Sequence, residues 1–183
     1  MKRCLLLVSI LFCSCCAAQR LSVATDALGY ADFGTLNAEV SVAVGRHFTI
    51  AAGAAYNPWQ WGSRESGTVQ NKQRTLNLGV RWWPWSAYSG WWFSTRGQVR
   101  EYSANPFSRG GLTQEGDALG AGISLGYALM LSHHFNLDFG AGLWAGSEYS
   151  TRYSCPSCGD IISQGRSAFL RADNIHASIA YIF

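Results

Sequence analysis

Larger hydrophobic residues and small or polar residues alternate along most of the chain. The clearest case is LGAGISLGYALML at 119–131, where leucine, isoleucine and tyrosine dominate one face and glycine, serine and alanine the other. A period of two is typical of a β-strand, and no stretch keeps helical three-and-four spacing beyond a turn or two. The pattern predicts eight strands, at 20–28, 35–45, 47–57, 73–84, 91–101, 118–131, 134–147 and 171–183.

The connections between these strands are short at one end and long at the other. Tight turns follow the second, fourth and sixth strands, at 45–47, 86–90 and 132–134. Long polar segments follow the third, fifth and seventh strands. This asymmetry is typical of bacterial outer-membrane barrels, which have short periplasmic turns and long extracellular loops. We therefore expect an all-β fold, an eight-stranded antiparallel transmembrane β-barrel of the outer-membrane type.

The polar face of the strands indicates which side of this barrel is apolar. A water-facing surface normally carries many charged residues, whereas this face is mainly glycine, alanine, serine and asparagine. An eight-stranded barrel is only wide enough inside for side chains, so a filled polar core is expected rather than a narrow channel. The few charges on this face are expected to form a buried ion-pair network: Asp26, Glu39, Arg81, Arg96, Arg100 and Asp138. The alternative fold is a soluble secreted or lipid-anchored barrel that binds a small apolar ligand.

Aromatic residues cluster near both predicted ends of the barrel. Two such belts are expected where rings sit at the two membrane interfaces. The predicted belt at the turn end comprises Phe48, Trp82, Trp83, Trp85, Trp91, Trp92, Phe93, Phe135 and Tyr181. In the long loops, Trp59, Trp61 and Phe107 are candidates for contact with a binding partner.

The amino-terminal segment predicts export. Lys2 and Arg3 precede an apolar run that is too short for a membrane helix and is followed by small residues, which is the pattern of a signal peptide. We expect residues 1–18 to be the signal peptide and 19–183 the barrel domain, with lipidation of Cys15 as a minor alternative. Removing the leader lowers the formal charge from +3 to +1, so no nucleic-acid partner is expected.

Two cysteines remain after the leader, Cys155 and Cys158, in the last long loop. A disulfide between them is expected because exported proteins are oxidised. A closed zinc site needs four ligands, and His133 and His134 are predicted at the opposite end of the barrel. A redox site would need a flanking βαβ pattern. We assign no metal and no cofactor to this pair.

Catalysis is considered because some outer-membrane barrels modify lipids. The available side chains are His176, Ser178 and Asp138, which are all predicted to face inward on neighbouring strands. Spacing alone does not provide the geometry of a triad, so no catalytic residue is assigned. A lipid-modifying enzyme remains an alternative function.

The chain ends on an alternating strand, IHASIAYIF. Its outward positions include Ile179, Tyr181 and Phe183, which are predicted to face lipid near the periplasmic interface. A terminal aromatic on such a strand resembles the signal read by the machinery that inserts barrels into the outer membrane. The partners expected from this pattern are outer-membrane lipids and that machinery.

Several motifs together resemble a known family. They are YNPWQW at 56–61, GAGISLGYAL at 120–129, YSCPSCGD at 153–160 and the terminal ASIAYIF. The chain resembles a domain-of-unknown-function family of small bacterial outer-membrane barrels, sometimes encoded beside fimbrial genes. The resemblance implies a surface-exposed, non-enzymatic barrel that helps to bind a partner, stabilise the envelope, or assemble or anchor surface fibres. It implies a fimbrial or other surface protein as a partner, and no catalytic residue. The segment RADNIH at 171–176 departs from the Gly-Pro-Thr-Lys step expected there.

Overall fold

The computed structural model describes residues 21–63, 67–105, 113–154 and 160–183. They form nine strands and one short helix. In chain order these are β1 (Leu21–Asp26), α1 (Ala27–Ala31), β2 (Leu36–Ala43), β3 (Phe48–Asn57), β4 (Gln60–Ser63), β5 (Gly67–Trp82), β6 (Gly90–Asn105), β7 (Thr113–Met130), β8 (Phe135–Tyr153) and β9 (Ile161–Ile182).

The strands form one closed antiparallel barrel. Neighbours in the wall pair in the order β3-β2-β1-β9-β8-β7-β6-β5, and β3 also pairs with β5, which closes the circle. The short strand β4 pairs with β5 directly beyond the last β3 partner, so β3 and β4 share one position in the wall. The wall thus has eight positions, and the predicted all-β, eight-stranded antiparallel barrel is confirmed. Among the described residues, no helix is long and apolar enough to cross a membrane.

Several strands are longer at the loop end than the hydrophobic pattern predicts. β8 continues to Tyr153 and β9 begins at Ile161, although the prediction placed loop at 148–170. The backbone ladder continues through polar segments such as Ser163 opposite Arg152. Alternation disappears there because neither face of a projecting strand has to be apolar, while its hydrogen bonds still form.

The first strand is shorter than predicted because a helical turn replaces its end. The Asp26 carboxylate accepts hydrogen bonds from the Leu28 and Gly29 amides at 3.1 and 3.2 Å. These bonds satisfy two amides that lack partners within the helix, so Asp26 acts as the N-cap of α1. The helix and the loop after it lie at the loop end of the barrel, between β1 and β2.

The turn end of the barrel is filled by aromatic side chains. Trp83 and Trp92 are 1% and 0% exposed and pack with Tyr88 and Ile182 in one core cluster. We call Trp83, Tyr88 and Trp92 the aromatic plug. The prediction that Trp83 and Trp92 belong to an outer belt was therefore wrong: both side chains face the interior, where their indole nitrogens have polar partners. Trp83 donates to Thr49 Oγ1 at 3.1 Å, and Trp92 donates to the Asp138 carboxylate at 2.6 Å.

Glycines on neighbouring strands make room for this plug. A Cβ added at Gly126 would lie 2.3 Å from the Trp92 ring, and one added at Gly140 would lie 2.8 Å from it. Both distances are far below van der Waals contact, so the indole needs glycine at these two positions. The glycines on the interior face of β7 and β8 thus determine where the largest side chain of the plug fits.

The exterior of the wall is apolar. The outward side chains of the strands are largely aliphatic or aromatic and about half exposed, while the inward positions are mainly glycine, alanine and polar residues. Outward examples from several strands are Val40, Ile50, Leu78, Val99, Ile123, Leu143 and Ile179. The polarity of this barrel is therefore the reverse of that of a soluble barrel, which buries its apolar face.

Candidate functional site

The centre of the interior is an ion cluster around Arg81. Its guanidinium donates to Asp138 Oδ2 at 2.7 Å and to Glu39 Oε1 at 2.6 Å. Arg81 and Asp138 are largely buried, with side-chain exposures of 13% and 8%. Glu39, Arg81 and Asp138 come from β2, β5 and β8, so the closed wall is what brings them together. Each charge has a close partner, which is the condition under which buried charges are tolerated.

Aromatic rings enclose this cluster on its turn side. The Arg81 guanidinium lies over the Trp92 ring at 4.7 Å, and the His176 ring stacks on the same indole at 5.7 Å. The second Asp138 oxygen accepts the Trp92 indole hydrogen bond. The cluster and the aromatic plug are therefore one continuous unit, and a change in either one disturbs the other.

Tyr88 completes the plug at the turn end. Its hydroxyl donates to the Ser41 carbonyl at 3.1 Å and lies 3.3 Å from Ser41 Oγ. Desolvation by burial raises the pKa of Tyr88 above its usual value, so the hydroxyl stays protonated and remains a donor. The Tyr88 carbonyl in turn accepts from Asn136 at 2.6 Å, which joins the turn to β8.

A cavity of about 250 Å³ lies on the loop side of the ion cluster. Arg96, Arg100 and Asp26 line it together with Glu39 and Arg81. All of the predicted interior charges except Asp138 thus border this one space, and Asp138 lies next to it through its bond with Arg81.

The charges at the cavity have different partners. The Asp26 carboxylate accepts from backbone amides, including that of Ala177 at 2.9 Å, rather than from an arginine. Arg100 donates from Nε to Thr75 at 3.3 Å and lies over the Trp144 ring at 5.2 Å. The arginines on this side are therefore positioned partly by hydroxyl and aromatic contacts.

A second interior ion pair was missed by the sequence prediction. Arg171 donates to Glu148 Oε2 at 2.6 Å, and the Glu148 side chain is only 8% exposed. The predicted strand ended at residue 147, one position before this glutamate. Continuing the alternation of Trp144 and Gly146 by one step would have placed Glu148 on the inward face.

The residues considered for catalysis come close together without forming a triad. Asp138 lies opposite Ser178 in the β8–β9 register, and His176 Nε2 lies 3.9 Å from Asp138 Oδ1. That distance is within ion-pair range but too long for a hydrogen bond. Asp138 is already engaged by Arg81 and Trp92, so its contacts are those of a structural counter-ion. Within the described ranges, no group of three His, Cys, Asp or Glu residues is arranged to bind a metal.

The Asn-Pro-Trp motif joins the end of β3 to the loop that follows α1. Asn57 is 1% exposed and donates to Thr35 Oγ1 at 3.0 Å, while its oxygen accepts from the Trp59 amide. The Trp59 indole donates to the Gly34 carbonyl at 3.0 Å, and its ring remains 44% exposed. Trp59 is thus a fixed aromatic surface at the loop end.

The other loop candidates are only partly described. Trp61 lies in β4 opposite Val69, and its side chain is not among those that the structure describes. Phe107, Cys155 and Cys158 lie outside the described residues, so their predicted roles stay predictions.

At the loop end of the wall, β9 has a paired neighbour on one side only among the described residues. β8 pairs with β9 from Tyr153 and Ile161 onward, but β1 pairs only with residues 178–182 of β9. In the part of the chain that the structure describes, no strand pairs with the other edge of Ile161–Ala172. We call this segment the open β9 edge. Its side chains are almost all exposed, and Leu170 reaches 70%.

The terminal residues lie on the outside of the turn end. Ile179, Tyr181 and Phe183 point outward, with exposures of 50%, 37% and 57%. The Tyr181 ring contacts Phe135 at 5.1 Å and Phe183 at 4.8 Å between centroids. These rings form an exposed aromatic group beside the turn between β7 and β8.

Comparison with known proteins identifies the family of this chain. No curated protein matches the chain. The model of the family described as "Protein of unknown function (DUF3575)" matches residues 4–183, nearly the whole sequence. The predicted membership of a domain-of-unknown-function family is thereby confirmed, and the chain belongs to the DUF3575 family.

Proposed function

We propose that this protein is a non-enzymatic barrel of the bacterial outer membrane whose projecting loop end binds a partner at the cell surface. The observation that carries the membrane location is the reversed polarity of the wall. Leu76, Leu78 and Leu119 are 54%, 61% and 65% exposed, whereas the interior contains paired charges. Burying such a side chain fully is worth about 1.5–3 kcal/mol, so lipid contact around the whole wall would stabilise the barrel strongly.

Aromatic residues support the same location. Trp82, Trp91, Phe93, Phe135 and Tyr181 form an exposed band at the turn end, as expected for rings at a membrane interface. The proposal includes export directed by residues 1–18, insertion aided by the terminal strand, and a disulfide between Cys155 and Cys158.

We expect the protein to be extracted only with detergent and to show heat-modifiable migration in gel electrophoresis. A folded barrel keeps its hydrogen-bonded wall in mild detergent and migrates differently from the boiled chain. Recovery of the folded protein from cells without detergent would contradict the membrane location. That result would favour the soluble or lipid-anchored barrel that binds an apolar ligand.

The open β9 edge supports the proposed partner binding. An unpaired strand edge presents a row of backbone donors and acceptors that can pair with another chain. A partner that adds an extended segment to such an edge gains main-chain hydrogen bonds along its length. We propose that the partner is an extended segment of a surface protein, such as a fimbrial subunit, bound along Ile161–Ala172.

A second copy of the barrel suits this edge less well. The two copies would share one orientation in the membrane, so a twofold axis along the membrane normal would place their β9 strands parallel. An extended segment of another protein can run antiparallel to β9, and antiparallel pairing is slightly the more stable. The side chains of this part of β9 are almost all exposed, so such a segment has access to it.

Proline substitutions at two neighbouring positions, Ser167→Pro and Ala168→Pro, should separate partner binding from folding. Successive amides of a strand point to opposite edges, so one proline removes a bond to β8 and the other removes only a donor of the open edge. We expect the variant that removes only a donor of the open β9 edge to keep heat-modifiable migration and to lose the partner function. The measurement is the number of surface fibres, and envelope permeability, in a deletion strain complemented with each variant.

The deletion strain itself is the control for this experiment. Fibres and permeability should change on deletion and return with the wild-type gene. Unchanged fibres and permeability in the deletion strain would contradict the proposed role. A folded edge variant that restores both as well as wild type would contradict the open edge as the binding element.

The non-enzymatic part of the proposal is supported by the contacts of Asp138. The Asp138 oxygens accept from Arg81 and Trp92, and His176 Nε2 lies 3.9 Å from Asp138 Oδ1, too far for the hydrogen bond by which a carboxylate orients a general base. His176 is moreover held by stacking on Trp92.

A further inference from the structure

A row of side chains crosses the outer face of five adjacent strands. The residues lie directly opposite one another in the registers of β5 to β9, and we call them the charged row: Arg74, Glu101, Asp117, Tyr149 and Arg166. One step towards the turn end, Leu76, Val99 and Leu119 form an equally aligned apolar row. Both rows line one outer groove of about 450 Å³.

The middle of the charged row lacks a cation. Glu101 and Asp117 are direct cross-strand partners, and like charges in this position repel each other. Arg74 lies 3.6 Å from Glu101 and compensates one of the two. The Asp117 carboxylate forms no hydrogen bond or ion pair with any residue that the structure describes, and no metal-binding cluster occurs among those residues. The pair is therefore suited to an ammonium group.

The β9 end of the row lacks an anion. Arg166 donates from Nε to Ser147 Oγ at 2.8 Å, which orients the guanidinium along the wall. Across the described chain it forms no ion pair with a carboxylate. Its remaining nitrogens form the planar fork that binds phosphate oxygens.

The separation of these charges suits a short zwitterion. Neighbouring strands are about 4.8 Å apart, so Asp117 on β7 and Arg166 on β9 are separated by about 10 Å of backbone. Tyr149 on β8 lies between them in the row. The exposed Tyr149 ring adds a face on which an ammonium can rest.

We propose that this groove binds an amphiphile whose headgroup is a phosphoethanolamine. The ammonium lies between Asp117 and Glu101, the phosphate on Arg166, and the acyl chain along Leu76, Val99 and Leu119. The apolar row is continuous with the apolar exterior of the wall, so the chain enters the groove from the side where the wall is apolar. This site goes beyond the proposed partner binding and uses the outer face of the wall rather than the open β9 edge.

The test compares two short-chain lipids with the same acyl chains. Full-length protein in non-ionic detergent is titrated with dihexanoyl phosphatidylethanolamine and dihexanoyl phosphatidylglycerol, and binding is followed by calorimetry. We expect about tenfold tighter binding of the ethanolamine lipid, which corresponds to one charge-assisted interaction. Asp117→Asn should abolish this preference, and Arg166→Gln should weaken the binding of both lipids about tenfold.

Matched controls come from exposed residues outside the groove. Arg46→Gln at the turn end and Asp160→Asn at the loop end remove the same charges and should leave both affinities unchanged. Each variant is first checked for heat-modifiable migration, and Glu101→Gln replaces Asp117→Asn if the latter does not fold.

Four results would overturn the assignment. Equal affinity for the two lipids would contradict the ammonium site. A preference for the ethanolamine lipid that survives in Asp117→Asn would contradict it as well. Binding of chain-free O-phosphoethanolamine as tightly as the lipid would remove the role of the apolar row. Complete displacement of the lipid by inorganic phosphate at equal concentration would reduce the site to an anion site on Arg166. Because the titration is done in detergent, these results are independent of the fibre assay.

Discussion

Replacing Arg81 by alanine should lower the free energy of unfolding by about 3–5 kcal/mol, the range observed when one partner of a buried ion pair is removed. The substitution leaves Glu39 and Asp138 facing each other across the interior without the cation that binds both. It also removes the guanidinium that lies 4.7 Å from the Trp92 ring. The measurement is the urea dependence of the heat-modifiable folded fraction in detergent.

Arg74→Ala is the matched control for this experiment. Arg74 lies on the same strand and faces outward, where it pairs with Glu101 at 3.6 Å with both side chains about two-thirds exposed. An exposed pair of this kind contributes about 0–1 kcal/mol. If the two alanine variants unfold at the same urea concentration, the Arg81 cluster does not stabilise the barrel as a buried unit.

Replacing Trp92 by alanine should be comparably damaging, at about 3–5 kcal/mol for the loss of a buried tryptophan. The side chain is fully buried, holds the Asp138 oxygen, and supports the rings of Trp83 and His176. Its removal leaves a cavity lined by Gly126 and Gly140, whose missing side chains cannot fill it. The measurement is again urea unfolding in detergent.

The neighbouring tryptophan is the control for this second substitution. Trp91 points outward, is 48% exposed and stacks edge-on against Tyr127. Trp91→Ala should therefore lower the free energy of unfolding much less than Trp92→Ala does.

The same variants test closure of the barrel. Wild type and Trp91→Ala should give no stepwise conductance in planar bilayers, because the aromatic plug stays intact. An equal loss of stability in both variants, or conductance by the wild type, would contradict the plug.

Neither the family relationship nor the fold assigns an activity to this protein. The DUF3575 match covers nearly the whole chain without assigning an activity. In the ion cluster, Arg81 pairs with both Glu39 and Asp138, which is the condition under which buried charges are tolerated. The open β9 edge and the charged row are the surfaces whose contacts are incomplete within the described residues, and both are accessible from outside the barrel.

Alternation along the chain was enough to predict the wall of the barrel. In β7, for example, outward Ile123 and Leu125 alternate with inward Ser124 and Gly126, and the structure keeps this assignment. A period of two depends only on backbone geometry, so it can be detected without knowing which strands are neighbours. The tight turns were predicted for the same reason, since they interrupt a local pattern.

The partners of individual side chains were decided by closure and register. Trp82 and Trp83 were assigned to the same outer belt, yet one is 44% exposed and the other 1%, because Trp83 packs inside the barrel against Tyr88 and Trp92. Arg81 meets Glu39 and Asp138 from strands that are far apart in the chain. Such contacts depend on which residues face each other around a closed wall.

The strand ends at the loop end of the barrel could not be predicted from the sequence pattern, for a related physical reason. The side chains of Ile161–Ala172 are almost all exposed, so its sequence shows no regular alternation, and its pairing with β8 is what makes it a strand. The charged row arises in the same way, because Glu101 and Asp117 become neighbours only through the β6–β7 register. The sequence by itself determined the barrel and the alternation of faces along its wall, but not the inward position of Trp92. Tertiary structure alone decided the plug, the ion cluster, the open edge and the groove, because each depends on pairing between distant segments.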